Sequence, residues 1–116
     1  MAGMFAQAHC FNQKLEAWDT SQVTDTRCMF YGACSFNQPL LGWNLSKVKK
    51  MGGMFAYARL FNQSLREWDC RQVGHGYRGI VIGADSFQES RLPRGWSWFQ
   101  AKGGVKPEDT PQCLRR

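Results

Sequence analysis

The residues of this chain best suited to nucleophilic or soft-metal chemistry are two histidines, His9 and His75, and five cysteines: Cys10, Cys28, Cys34, Cys70 and Cys113. His75 lies between Gly74 and Gly76, a few residues after Asp69 and Cys70. A Cys70–His75 dyad would need the imidazole held ready to take the thiol proton. Flanking glycines supply mobility instead of that preorganisation. His9–Cys10 offers two donors where zinc takes four, and no CxxC pair completes the set. There is no P-loop, no GxGxxG after a strand and no GxSxG. Asp19, Asn44 and Asp69 recur at one spacing and form a column of oxygens. A calcium ion needs six to eight oxygen ligands, and one position per repeat supplies too few. Helix capping is the better use for short oxygen-bearing side chains there. Asn44-Leu-Ser46 and Asn62-Gln-Ser64 fit the glycosylation acceptor pattern. These residues therefore point to a protein that is not an enzyme and uses no cofactor and no metal.

What positions them is a repeat. MFAQAHCFNQKLEAWD (4–19), MFYGACSFNQPLLGWN (29–44) and MFAYARLFNQSLREWD (54–69) follow one another at a fixed 25-residue offset. Nine columns are identical in all three, headed by Met4, Phe5, Ala8, Phe11, Asn12, Gln13, Leu15, Trp18 and Val23 in the first copy. A period of this length marks stacked repeat units, each too small to cover its own apolar face. Phe5, Ala8 and Phe11 sit at helical spacings, as do Val23, Thr26 and Phe30. A short helix is expected from about Ser21 to Ala33 and at the equivalent positions, entered through Asp19 or Ser21. A strand of two to four residues is expected near Leu15–Trp18; Pro39 argues against anything longer. The expected fold class is thus an α/β repeat solenoid, with a short helix and a very short parallel strand per 25-residue coil. Coils fall at about 4–28, 29–53 and 54–78, with a degenerate coil at 79–99, making about three and a half in a 1–99 repeat solenoid. The fourth fits only with a one-residue slip, IVIGADSFQESRL (80–92) against MFYGACSFNQPLL. Residues 100–116, Gly/Pro/charge-rich, read as a disordered C-terminal tail. Trp96, Trp98 and Phe99 are candidates to cover the end of the stack.

Stacking explains the constant columns. Asn12, Asn37 and Asn62 read as a structural ladder whose amides bond the backbone of adjacent coils. Trp18, Trp43 and Trp68 stack as part of the same core. The cysteines fall in different columns: Cys10 aligns with Ser35, Cys34 with His9, and Cys70 with Thr20 and Leu45. Disulfides between equivalent positions are excluded, and the cysteines read as unpaired packing residues, which favours a reducing compartment.

The chain has 116 residues, a net charge of +6 and a hydrophobic fraction of 43%, fitting one folded domain or part of one. No apolar run is long enough to span a bilayer. No basic stretch followed by an apolar core and a cleavage site opens the chain, so no signal peptide is visible. The basic excess is spread along the sequence and is densest at Lys47, Lys49 and Lys50.

The string MF-x-x-A-x-x-FNQ-x-L-x-x-WD-x-S-x-V-T resembles the 25-residue surface-protein repeats first grouped as a Mycoplasma domain of unknown function and usually placed with BspA-like leucine-rich-repeat proteins. The first copy matches almost completely; the second and third depart at Asn44–Leu45 and Cys70–Arg71. The resemblance implies a leucine-rich-repeat-like solenoid, a surface or secreted location and a non-catalytic role in adhesion or contact. It brings no catalytic or ligand residues. In such coils the residues flanking the strand project from the concave face. Lys14, Glu16, Leu41 and Arg66 are therefore a candidate interaction stripe. The expected function is a non-catalytic repeat module for protein interaction or cell-surface adhesion, standing alone or as a piece of a longer array. Its partner would be a protein or a surface glycan, and end-to-end stacking with another repeat unit is a further option. The alternative is a basic solenoid that binds nucleic acid or an anionic surface through Lys47, Lys49, Lys50, Arg71 and Arg78. The periodic placement of the aromatics speaks against it, because core rings cannot stack on bases.

Overall fold

A computed structural model of the chain describes residues 1–74 and 76–103. His75, Cys113 and nearly all of the tail lie outside the described residues, and with them the Cys70–His75 dyad.

Successive copies lie against one another, but not through helices and strands. Among the described residues the regular elements are one turn of 3-10 helix, Glu89–Arg91, and one short α-helix, α1, Trp98–Ala101. The helix expected at 21–33 and the strand expected at Leu15–Trp18 do not form. One parallel bridge, Asp25 to Lys50, is the whole of the sheet pairing among the described residues. The expected α/β, leucine-rich-repeat-like architecture is therefore overturned.

The backbone shows why. In the MF segment, alternate N–H groups go to different places. Those of Cys28, Phe30 and Gly32 cross to Gly52, Met54 and Ala56 of the next copy, while those of Met29, Tyr31 and Ala33 close local turns on Thr26, Cys28 and Phe30. Gly3, Phe5 and Gln7 cross in the first copy and Gly53, Phe55 and Tyr57 in the third, each with the intervening residues turned locally. An α-helix would need every N–H to bond locally and a strand would need none to. Two left-handed positions per copy enforce the mixture: φ is +55° at Cys28 and +71° at Gly32, and +62° at Gln7 and +59° at Tyr57. A helix does not continue through such residues. The spacing of Phe5, Ala8 and Phe11 is that of two consecutive turns, with Ala8 N–H on Phe5 and Phe11 N–H on Ala8.

Side chains extend the stacking. Phe5, Phe30 and Phe55 form a column with ring centroids 5.5 and 5.4 Å apart. Phe11, Phe36, Phe61 and Phe87 form a second, with spacings of 5.8, 5.9 and 5.9 Å. The step from Phe61 to Phe87 is 26 residues, the one-residue slip visible in the sequence. Within each copy the two columns pack ring on ring, at 4.3 Å for Phe30–Phe36. Phe30, Phe36, Phe55 and Phe61 are fully buried.

The fourth unit is closed by α1: Gly79 and Val81 give their N–H groups to the carbonyls of Gln100 and Ala101. Helix α1 thus crosses the boundary placed at residue 99, and Ala101 is fully buried. Trp96 stacks on Tyr77 at 4.0 Å, and Trp98 packs against the core. Phe99 does not join them and stands 61% exposed.

Candidate functional site

The Asn column is held by side chain to backbone bonds. Asn12 Oδ1 accepts from Asn37 N–H at 2.9 Å and Asn37 Oδ1 from Asn62 N–H at 2.9 Å. Gln38 and Gln63 each donate from Nε2 to the same Asn oxygens. Among the described residues the buried Asn62 Oδ1 finds no partner, because the slip moves the fourth unit out of register. Trp43 Nε1 donates to Leu15 O at 2.8 Å and Trp68 Nε1 to Leu40 O at 3.1 Å. Trp18 belongs to the same column but is 43% exposed.

Asp19, Asn44 and Asp69 do not cap helices. Each folds its Oδ1 back onto the N–H two residues on, that of Ser21, Ser46 or Arg71, and so fixes the corner that follows the Trp. Hydrogen bonds from the Ser21 hydroxyl and backbone hold the Asp19 carboxyl below its ordinary range. Arg71 does the same for Asp69, in a 2.9 Å ion pair. Burial raises Asp25, but bonds from the Arg27 guanidinium and backbone, with the charge of Lys50 nearby, outweigh it and leave the carboxyl lowered. Among the described residues no cluster of three or more His, Cys, Asp or Glu could hold a metal.

Lys14, Glu16, Leu41 and Arg66 are all exposed. Glu16 Oε2 accepts from Gly42 N–H at 3.2 Å, which lays its chain against the Leu41–Gly42 backbone. Arg66 instead reaches Ser90 O at 3.5 Å. It thereby becomes one wall of a groove of about 400 Å³ between the third and fourth units. Arg66, Arg71 and Arg94 ring this groove, with Trp68, Pro93 and Trp96 beneath. Arg94, Pro93 and the floor of Trp96 were not legible as a site, since they meet Arg66 only where the fourth unit leaves the repeat. Of the basic cluster, Lys47 Nζ donates to Gln22 at 3.0 Å. Arg78 is buried, with one guanidinium nitrogen on Gln100.

Cys10, Cys34 and Cys70 carry free thiols. Cys28 departs from the expectation of unpaired cysteines, being disulfide-bonded. Burial, reinforced by Asp69, pushes the Cys70 thiol up to about 12. A second recess, of about 330 Å³, brings Cys34 together with His9, Tyr57 and Arg59.

This 25-residue architecture is matched by a family described as "Mycoplasma protein of unknown function, DUF285", over residues 1–96. The chain belongs to that family. No curated protein and no solved structure is significantly similar to it. Of the described residues, no helix is long and apolar enough to cross a membrane. In this DUF285 chain the columns that stay constant from copy to copy are the stacking surface; Trp68 of one such column also lines the groove, while the residues lining the Cys34 recess come from the positions between the constant columns.

Proposed function

We propose that the chain is a non-catalytic repeat module that holds a partner protein by an acidic segment. The groove at the fourth unit carries this reading. Three guanidinium groups against the single carboxylate of Asp69, over two tryptophans and a proline, suit a carboxylate-bearing peptide with apolar residues between its charges. Arg is also the cation that best keeps hydrogen-bonding capacity while packing on rings. The resemblance to BspA-like surface proteins adds adhesion as the setting for such contact.

The test is titration of the intact chain with a labelled peptide of alternating Glu and Leu. Saturable binding is expected, weakened about fivefold by the pair Arg66→Ser and Arg94→Ser. Unchanged affinity in that variant would sink the proposal. Binding to a nucleic acid is the second reading. It loses support from the burial of Arg78 and from the Asp69–Arg71 pair, but Lys49 and Lys50 are exposed. A single-stranded oligonucleotide that binds more tightly than the peptide, with a steep salt dependence, would decide for it.

A further inference from the structure

The recess at Cys34 is built by the repeat itself. Its floor and walls come from two columns, Gln7/Gly32/Tyr57 and His9/Cys34/Arg59, each spaced by 25 residues. The first column is left-handed throughout. Because Gly32 has no side chain, the Gln7 amide lies over it: a Cβ there would meet Gln7 Oε1 at 2.8 Å. Large, absent and large side chains in succession open a hollow between the first and third copies. In the second column Cys34 stands one copy from His9 and one copy from Arg59, and all three line the hollow.

Cys34 Sγ is half-buried and has two carbonyl acceptors in reach, Gly32 O at 3.2 Å and Tyr57 O at 3.9 Å, and His9 Nδ1 at 3.7 Å, which accepts when the imidazole carries its proton on Nε2. Only His9 can take its proton. Arg59 lines the hollow, is exposed and makes no ion pair among the described residues. The other free thiols lack this setting. Cys70 is held protonated by burial and by Asp69, and Cys10 does not line the recess.

We infer that this hollow is a thiol–disulfide exchange site, at which Cys34 is S-thiolated by a small anionic disulfide of the glutathione disulfide class. The Cys34 proton passes to His9 Nδ1. The thiolate sulfur attacks one sulfur of the disulfide, an S–S bond to Cys34 forms as the original S–S bond breaks, and the leaving thiolate takes the proton from His9. One disulfide and one thiol enter and one of each leaves, so no further oxidant is required. Arg59 holds a carboxylate of the incoming disulfide. The inference is independent of the Arg-ringed groove, whose lining shares no residue with this hollow.

The experiment exposes the intact chain to oxidised glutathione, quenches in acid at intervals and maps the adduct on each cysteine by peptide mass. Cys34 is expected to react faster than Cys10, and at least about tenfold faster than Cys70. His9→Ala should slow Cys34 severalfold while leaving Cys70 unchanged. Arg59→Glu should invert the preference between oxidised glutathione, which is anionic, and cystamine, which is cationic. His9 and Arg59 are exposed, so thermal melts should show that both variants keep the fold. Reaction at Cys34 no faster than at Cys10, or indifferent to His9→Ala, overturns the site. A preference indifferent to Arg59→Glu overturns the role of the guanidinium.

Discussion

Asn37 and Asn62 occupy one column, yet their side chains do unequal amounts of bonding. Asn37 Oδ1 accepts from Asn62 N–H and from Gln63, whereas Asn62 Oδ1 accepts from nothing. Asn37→Ala leaves a backbone N–H without its partner, and a net intramolecular hydrogen bond is worth about 1 kcal/mol. Asn37→Ala is therefore expected to cost about 1–2 kcal/mol more than Asn62→Ala in urea unfolding. The glycines give a second comparison at this scale. Gly74 and Gly83 both have φ near +60 to +70°, but a Cβ at Gly74 meets nothing within 4 Å, while at Gly83 it would enter the Tyr57 ring. Gly74→Ala bears the conformational cost alone, about 1 kcal/mol. Gly83→Ala adds the displacement of the ring and should lower the urea midpoint clearly further. Asp25 contributes to the pH dependence. Its folded carboxyl is lowered, so its contribution is complete above the unfolded value near about 3.9 and is lost as pH falls through the folded one. The gap in melting temperature between the parent and Asp25→Asn should accordingly be open at neutral pH and close below about pH 4.

At the scale of the element, the turn-built segment around each Met-Phe pair is the unit. Its period was legible in the sequence, because a stacked position must match its neighbours above and below and so repeats its residue type. Its conformation was not. Three-residue spacing of Phe5, Ala8 and Phe11 resembles one face of a helix, and only the left-handed backbone at Gln7, Cys28 and Tyr57 distinguishes turns from helix. None of those residues announces a positive φ as a glycine does. The same contrast holds for the sites. His9, Cys34 and Arg59 share a column and could be aligned from the sequence. Arg66, Arg94 and Trp96 meet only where the fourth unit abandons the register. The aromatic columns offer the test of the element. Phe36 is fully buried between Phe11 and Phe61, whereas Phe11 is partly exposed. Phe36→Ala is expected to cost about 3–5 kcal/mol, and Phe11→Ala distinctly less, since a side chain already open to water leaves a smaller cavity.

For the whole molecule, the two ends of the stack are unlike. At the fourth unit, α1 accepts the N–H groups of Gly79 and Val81 and so completes the ladder. At the first copy the Phe5 and Phe11 rings are partly exposed, Met4 is 50% exposed, and among the described residues Trp18 Nε1 has no carbonyl where Trp43 and Trp68 have one. Stability in stacked repeats is close to a sum of neighbour interfaces, so the first copy, with one interface, should open before the others. Hydrogen exchange should show this as faster exchange at Phe5 and Gln7 than at Phe30 and Gly32, although all four amides are bonded across to the next copy. By the same account, a further copy of residues 29–53 joined ahead of Met4 would supply the missing interface. Its Leu carbonyl would accept from Trp18, its Asn would accept from Asn12 N–H, and its two Phe rings would cover Phe5 and Phe11. The melting temperature of that extended chain should rise by roughly 5 °C or more. An extension with its Phe, Asn and Leu changed to Ser controls for length, and an equal rise with it would show that the constant columns are not what joins one copy to the next.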